Sequence, residues 1–310
     1  MRALACPASL KGVLSAAEAA AALAAGFREA GVEADECAIA DGGEGTAEVL
    51  FAALGGEWRE AVASDPLGRP VSARWLLLPD GTAVVESAQA IGLGVLEERD
   101  PLRASSRGLG ELVAVALAEQ PSALVVALGG SATMDGGAGM REVLSSLPPG
   151  VVALCDVRSR LGEAPGLYGP QKGASPEAVT ELEARLAAMQ DLTPFAELPG
   201  SGAAGGLGAA FALLGAELVA GAAYVLDRIG FRERLQGVDL AVSGEGTLDA
   251  TTREGKAPWE ARRVSEDAGV RCALFGGRVL VDGADLHALS GDPRQAANDL
   301  RLLGRLLGES

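Results

Sequence analysis

The sequence predicts an α/β fold built on parallel strands, and three observations lead to this prediction. Residues 124–128 form an apolar run of the length and branching of a strand that is buried on both faces. A glycine-rich turn and a helix follow directly, in the stretch from Gly129 to Met140. The first 54 residues repeat the order of strand, loop and helix. A chain with 43 glycines and 48% hydrophobic residues suits such a fold with many tight loops.

The N-terminal region predicts two strand–helix repeats. In order, the elements are a strand at 2–6, a helix capped by Ser15 and Glu18 and ended by Gly31, a strand at 36–40 and a helix ending at Leu54. The loop at 41–46 between the second strand and its helix reads Asp-Gly-Gly-Glu-Gly-Thr. Ligands of parallel sheets bind at the carboxyl ends of strands, which is where this loop lies.

A different pattern begins after a turn at 65–68, with a hairpin of strands 71–78 and 82–86. The later elements are a helix at 106–119, the strand 124–128 with its helix, a strand at 151–155, a helix from Ser175, a small-residue helix from 202–208, a strand at 238–242, a helix from Pro258, a strand at 271–274 and a last helix from Asp292. A length of 310 residues predicts about two domains. Because strands with glycine exits occur at both chain ends, we expect one domain from 1–64 with 237–310, and a second from 65–236.

Composition excludes several classes of protein. A formal net charge of −16 argues against nucleic acid and anionic membrane as partners. No apolar run reaches the roughly 18 residues of a membrane helix, and the N-terminus shows no signal-peptide pattern. Four cysteines in apolar contexts, without CxxC spacing, predict core residues of a cytoplasmic protein.

Two features predict an anion site. Between Leu124 and Met140, a strand, a glycine turn and a helix N-terminus present backbone N–H groups, although the stretch is neither a P-loop nor a GxGxxG fingerprint. A tight α/β turn is the alternative interpretation. The chain also has only three lysines among 26 basic residues, Lys11, Lys172 and Lys256, and each is next to a glycine. We expect the three to line one interdomain cleft around an anionic ligand, with chance placement in surface loops as the alternative.

A shortage of histidine constrains the chemistry. His287 is the only histidine and lies outside every glycine motif, so a carboxylate must act wherever a proton is taken from a hydroxyl. Asp156 directly follows the strand 151–155 and is a candidate base, metal ligand or turn cap. Asp41 is a candidate to hold Mg²⁺, to orient a hydroxyl or to cap a helix. Phosphoryl transfer fits this inventory, because it depends on positioning, Mg²⁺ and positive charge.

Six motifs occur in the order seen in the class I glycerate kinase family, which the chain resembles over nearly its whole length. They lie at residues 7–12, 40–46, 129–140, 168–175, 202–208 and 243–256. ADGGEGT, GGSAT-x-DGGAGM and GPQKGA are the long, specific ones. The resemblance implies ATP-dependent phosphorylation of D-glycerate. It also implies two α/β domains, a parallel Rossmann-like domain with a second α/β domain inserted into it.

The candidate site residues combine these arguments. Asp156 is the candidate base, with Lys11 and Lys256 as catalytic positive charges, and Glu245 and Asp249 are the candidate Mg²⁺ ligands. Candidate residues for binding the substrate or its phosphate are Asp41, Gly129, Gly130, Ser131, Asp135, Lys172, Gly205 and Gly206. The expected ligands are ATP, Mg²⁺ and a small anionic substrate, and the oligomeric state is open, with a homodimer as one alternative.

The sequence departs from the resembling family at several positions. Ala8, Met134, Ser159, Thr247 and Thr251 stand where the family usually has Asp, Asn, Asn, Arg and Gln. The segment between Met140 and Val151 is also shorter than expected. A glycerate-kinase-like paralogue with another substrate or no turnover, which binds a small anion, is therefore the alternative function. A nicotinamide-dependent dehydrogenase is disfavoured, because its glycine fingerprint is missing.

Overall fold

The computed structural model describes residues 1–309, which alternate between strands and helices. The strands are β1 (Arg2–Ala5), β2 (Glu33–Glu36), β3 (Glu57–Ser64), β4 (Pro70–Leu77), β5 (Thr82–Glu86), β6 (Ala123–Ala127), β7 (Val152–Cys155), β8 (Glu217–Ala220), β9 (Leu240–Leu248), β10 (Arg271–Val279) and β11 (Leu286–Ala288). The α-helices are α1 (Ala16–Glu29), α2 (Thr46–Leu54), α3 (Ser87–Ile91), α4 (Arg107–Ala118), α5 (Ala138–Val143), α6 (Ala164–Tyr168), α7 (Pro176–Ala187), α8 (Ala203–Leu213), α9 (Gly221–Arg228), α10 (Phe231–Arg234), α11 (Ala257–Asp267) and α12 (Ala296–Gly308). Across residues 1–309, none of these helices combines the length and apolar character that a membrane crossing requires.

The chain divides into two compact units. The first unit comprises residues 1–41, 48–53 and the C-terminal part from Ala222, and the second comprises Gly42–Ala47 and Leu54–Gly221. The boundaries predicted from sequence were after residues 64 and 236. Both lie later in the chain than the observed limits of the second unit at Leu54 and Gly221. The first differs because β3 pairs with β4 along its whole length, from Glu57↔Leu77 to Ser64↔Pro70, in the sheet of the second unit.

The first unit contains a five-stranded sheet of order β11-β10-β9-β1-β2, in which every pair is parallel. Helices α1 and α12 bury apolar side chains against it, including Leu23, Phe27 and Leu300. The predicted capping box is present, since the Ser15 hydroxyl accepts from the Glu18 N–H at 3.2 Å and the Glu18 carboxylate accepts from the Ser15 N–H at 2.8 Å. The prediction of an α/β fold with a Rossmann-like parallel sheet is confirmed.

The second strand lies earlier than predicted. The sequence predicted it at 36–40, where the residues after Glu36 are apolar, but β2 spans Glu33–Glu36 and pairs with β1 in the register Arg2↔Glu33 to Ala5↔Glu36. It is an edge strand of the sheet. Charged residues are common on edge strands, where they discourage pairing with other chains. An apolar run is therefore a poor guide to a strand in this position.

The second unit contains a six-stranded mixed sheet of order β3-β4-β5-β6-β7-β8. The predicted hairpin of β4 and β5 is confirmed, and β5 to β8 are parallel neighbours. Strand β6 lies between β5 and β7, and its residues from Leu124 to Ala127 are buried, as predicted for a central strand. Because β5, β6 and β7 run in the same direction, the segments that follow them emerge at one edge of the sheet.

Strand β9 in the first unit is longer than predicted. The sequence predicted a strand at 238–242 followed by a Ser-Gly-Glu-Gly loop, but β9 continues to Leu248 through those residues. Its pairing with β10 extends to Thr247↔Arg278 and Leu248↔Val279. Glu245 is consequently a strand residue with a defined orientation.

Candidate functional site

Asp156 and the two glycine loops meet at the carboxyl edge of the second unit's sheet. A Cβ atom on Gly129 would lie 2.6 Å from Asp156 Oδ2 and 2.6 Å from the Cα atom of Gly43, so only glycine fits there. The Gly129 N–H also donates to the carbonyl oxygen of Gly42 at 3.1 Å. Asp156 is half-buried and directly follows β7. The structure therefore brings the Asp156 carboxylate against Gly129, and Gly129 against the glycine loop at 41–46.

A buried carboxylate that the sequence argument did not select holds the loop at 42–46. Glu86, the last residue of β5, is 1% exposed, and its Oε1 atom accepts from the Ala47 N–H at 2.7 Å. This bond places a negative charge in the first turn of α2, where the helix dipole favours it. The Thr46 hydroxyl donates to the Gly43 carbonyl oxygen at 2.7 Å and closes the loop. The signal in the sequence was a glutamate ending an otherwise uncharged strand.

Lys172 is buried inside the second unit and contacts the loop at 129–133. Its residue exposure is 3%, and its Nζ atom donates to the Thr133 carbonyl oxygen at 2.7 Å and to Ser131 Oγ at 3.2 Å. Burial lowers the pKa of Lys172 to about 7, although the charges of Asp156 and Asp135 oppose this shift. Both hydrogen-bond partners are neutral. The ammonium form is therefore poorly stabilised until a further negative charge arrives.

Asp135 is engaged by backbone and hydroxyl donors. Its Oδ2 atom accepts from Ser106 N and Ser106 Oγ, both at 2.8 Å, and from Gly139 N at 3.1 Å. Its Oδ1 atom accepts from Gly137 N at 3.1 Å. These bonds connect the start of α4 with the start of α5, so the carboxylate stabilises the turn. A role for Asp135 in binding substrate stays a prediction.

Gly205 and Gly206 lie in a left-handed turn at the start of α8. With Ala204 they form three successive residues of positive φ, at 53°, 73° and 94°. The N–H groups of both glycines donate to the Gly202 carbonyl oxygen, at 3.2 and 3.4 Å. The prediction that they bind an anion would require these N–H groups to leave that partner, and it stays a prediction. Gly130 and Ser131 lie in the loop that Lys172 contacts.

In the first unit, Glu245 and Lys256 form a pair. Lys256 precedes α11, and its Nζ atom lies 3.7 Å from Glu245 Oε2. The Thr252 hydroxyl donates to Glu245 Oε1 at 2.8 Å. Burial raises the pKa of Glu245, with Lys256 and Thr252 opposing the shift and Asp41 and Asp249 adding to it. This cluster therefore combines one cation with several carboxylates.

Asp249 caps the 3-10 helix Ala250–Glu254. Its Oδ1 atom accepts from Thr251 Oγ1 at 2.6 Å, Thr251 N at 2.9 Å and Thr252 N at 3.3 Å, and the bond from the Thr251 hydroxyl lowers its pKa. Thr252 thus contacts both candidate Mg²⁺ ligands. Within residues 1–309, no group of three or more His, Cys, Asp or Glu side chains is arranged to hold a metal ion by itself.

The three lysines are divided between the units. Lys11 is exposed in the turn between β1 and α1, and like Lys256 it belongs to the first unit, whereas Lys172 belongs to the second. The expected convergence of all three on one ligand stays a prediction. Asp41 ends the first segment of the first unit, directly before the glycine loop.

Comparison with known proteins assigns the chain to a family. A model of the Glycerate kinase family matches residues 3–147 and 149–292. The chain belongs to the glycerate kinase family. It is 37% identical over 305 residues to a protein of Escherichia coli K12 named glycerate 2-kinase, covering 83% of this chain and 80% of the relative. It is 36% identical over 329 residues to the glycerate kinase of Bacillus subtilis 168, covering 91% and 86%.

A solved structure supports the same assignment. The crystal structure of a protein from Salmonella typhimurium LT2, provisionally designated glycerate kinase 2, matches with a TM-score of 0.79 at 31% identity. The match covers 99% of this chain and 97% of that protein. The family resemblance read from the motifs is therefore confirmed, together with the α/β fold that it implied.

Two of the residues expected to depart from the family pattern lie in the second unit. Met134 is 1% exposed and packs with Ala164 and Leu182 in a small apolar cluster. Ser159 Oγ accepts from the Tyr168 hydroxyl at 3.0 Å. In the first unit, Thr251 contributes to the cap at Asp249, as described above. These three residues make local contacts of their own.

Proposed function

We propose that this protein transfers the γ-phosphoryl group of ATP to a hydroxyl group of D-glycerate. The observation that carries the proposal is the position of Asp156, whose carboxylate lies against Gly129 at the carboxyl edge of the sheet, where Gly129 also packs against Gly43. Glycine loops at that edge suit phosphate groups, because the backbone can approach their oxygens closely. Membership of the glycerate kinase family supports the choice of substrate and reaction.

Asp156 acts as the general base in this proposal. The attacking hydroxyl oxygen forms the new P–O bond while its proton passes to the Asp156 carboxylate. The bond between the γ-phosphorus and the bridging oxygen breaks, and ADP leaves with the electron pair. Charge on the transferring group needs fixed cations nearby. Lys172 supplies one from the second unit, and Lys11 and Lys256 are the candidates in the first.

Glu245 and Asp249 remain the proposed ligands of Mg²⁺. Both are oxygen donors, and both contact Thr252, so their carboxylates share one local framework. Kinase sites usually bind Mg²⁺ through one or two carboxylates and the phosphates of the nucleotide, which this donor set fits. The ion would neutralise charge on the phosphate oxygens. Asp41 adds a further carboxylate whose charge acts on Glu245.

The proposal includes the location of the enzyme in the cell and its oligomeric state. All four cysteines are free and buried, which suits a reducing cytoplasm. A homodimer is part of the proposal, and sedimentation velocity at several protein concentrations tests it.

The experiment for the proposed function mixes pure protein with ATP, Mg²⁺ and D-glycerate and follows ADP release. Proton-coupled ³¹P NMR of the product identifies the hydroxyl, since a phosphate ester on C2 couples to one proton and gives a doublet, whereas one on C3 gives a triplet. Glycolate and D-lactate, which each retain a single hydroxyl, serve as substrate controls. Absence of ADP release above the ATP-only rate, in folded protein, would contradict the proposal.

A further inference from the structure

Thr133 carries a hydroxyl group for which the fold provides no partner. The residue is 0% exposed, and its Oγ1 atom has no hydrogen-bond partner among residues 1–309. Buried polar side chains are nearly always hydrogen-bonded, so each exception calls for an explanation. A valine has almost the same shape and would fill the position without that loss. The hydroxyl therefore has no evident structural purpose in the protein alone.

A buried cation is bound to the same residue. Lys172 Nζ donates to the Thr133 carbonyl oxygen at 2.7 Å and to Ser131 Oγ at 3.2 Å. An ammonium group has three N–H donors, so these two bonds leave the third N–H without a partner. The two acceptors fix the direction of the ammonium, and neither carries a charge. A positive charge with an unused donor thus contacts the backbone of the residue that carries the unused hydroxyl.

The turn packed against Thr133 is strained. A Cβ atom on Gly205 would lie 2.2 Å from the Thr133 carbonyl oxygen, so this turn touches the residue directly. Three successive residues of the turn have positive φ, and one of them, Ala204, is not glycine. Backbone strain of this kind persists where surrounding structure enforces it, and it clusters at functional sites.

We propose that the Thr133 hydroxyl is a ligand-binding group, which together with the Lys172 ammonium takes an anionic oxygen of a substrate. The inference rests on the proposed function, which supplies two sources of such an oxygen, the carboxylate of D-glycerate and the phosphates of ATP. Thr133 Oγ1 and the third N–H of Lys172 both donate to that oxygen. The orphaned hydroxyl and the unused N–H are then satisfied in one event.

The test compares Thr133→Ala with Thr133→Ser, since these two variants differ only in the hydroxyl. Isothermal titration of each with D-glycerate alone, and separately with ATP and Mg²⁺, measures binding without turnover. We expect Thr133→Ala to bind one of the two ligands about 10–100-fold more weakly than Thr133→Ser, as for a lost hydrogen bond to a charged group. Loss in the glycerate arm identifies the carboxylate, and loss in the ATP arm identifies a phosphate.

Thr133→Val and a control complete the design. Thr133→Val should keep or raise the melting temperature of the free protein and should reduce the thermal shift on adding ligand. Thr180→Ala, at an exposed threonine of α7 in the same unit, is the matched control and should change neither. If Thr133→Val is unstable, the ligand affinities of Thr133→Ala and Thr133→Ser still test whether the hydroxyl binds a ligand.

The inference and the proposed function fail separately. Equal affinities of Thr133→Ala and Thr133→Ser in both arms would overturn the inference, even in an active kinase. Binding of neither ligand by the wild type would overturn it as well. A wild type that binds D-glycerate or ATP without turnover, and that loses this binding in Thr133→Ala, would support the inference and contradict the kinase.

Discussion

Lys172 in the second unit and Lys256 in the first are both next to glycine in the sequence, but their burial and their partners differ. Lys172 is buried and donates to a carbonyl group and a hydroxyl group. Lys256 is a quarter exposed and lies 3.7 Å from the carboxylate of Glu245. The charge of Lys256 has a carboxylate partner, whereas both hydrogen-bond partners of Lys172 are neutral and the charges of Asp156 and Asp135 offset its burial only in part. The second unit is therefore the one in which an arriving anion changes the electrostatic balance most.

Removal of the proposed base gives the largest expected effect. It also distinguishes a catalytic role of Asp156 from a structural role of Asp135, another carboxylate of the second unit. Asp156→Asn should lower kcat by about 10²–10⁴-fold, the usual contribution of a general base. Asp135→Asn should instead lower the free energy of unfolding by about 2 kcal/mol, because several donors lose a charged acceptor. Steady-state kinetics and urea unfolding of both variants check this contrast.

A third Asp→Asn variant serves as the matched control for Asp156→Asn and Asp135→Asn. Asp191→Asn changes a half-exposed carboxylate that pairs with Arg141 in the same unit, and it should alter rate and stability little. If Asp156→Asn loses stability without losing rate, Asp156 is a turn cap and the base must be sought elsewhere.

Neutralising the two lysines tests the comparison itself. Lys172→Met should lower kcat/KM by about 100-fold without loss of stability, because methionine fills a similar volume without a buried charge. Lys256→Met should lower kcat/KM by about tenfold and should reduce stability, since it leaves the partly buried Glu245 without its cation. Equal stability changes in the two variants would show that the two environments do not differ in the way described.

The sequence was a good guide to backbone features and a poorer one to partners. Glycine loops after buried strands were identifiable, because the apolar run at 124–128 and the Asp-Gly-Gly loop are patterns that few other local structures would produce. Asp156 was found for the same reason, as the residue after a buried strand. Glu86 and Thr133 were missed as functional candidates, because their roles depend on contacts with the distant residues Ala47 and Lys172. Burial of a single lysine cannot be read from a Lys-Gly pair.

Edge strands show the same limit for the fold. The central strands β6 and β7 were predicted closely because they are buried and apolar. β3 was missed and β2 was misplaced, since both are edge strands with exposed polar residues. In these strands the pairing partner, rather than the local sequence, determines the structure.

The pH dependence of stability should report the buried lysine. The pKa of Lys172 is about 7 in the folded protein, below its ordinary value of 10.5. Between these two values the unfolded chain binds the additional proton, so stability rises with pH in this window. We expect a gain of roughly 2 kcal/mol between pH 7.5 and 9.5 from this group, measured by urea unfolding. Lys172→Met should remove that gain, and Lys11→Met, at an exposed lysine, is the matched control. An unchanged pH profile in Lys172→Met would show that the ammonium is not buried as described.

The smallest expected effect concerns Met134, one of the positions at which the sequence is expected to depart from its family. Its side chain packs with Ala164 and Leu182, so Met134→Asn would bury an amide in an apolar cluster. We expect a loss of about 1–2 kcal/mol in the free energy of unfolding, with kcat unchanged within a factor of about two. Met134→Leu, which preserves volume and polarity, should cost less, and thermal melts with steady-state rates compare the two. A rise in kcat of tenfold or more in Met134→Asn would mean that position 134 faces the substrate, and that this chain has lost a polar group from its site. The contrast between the units would then need revision, because Lys172 would have lost a polar neighbour on the loop it contacts.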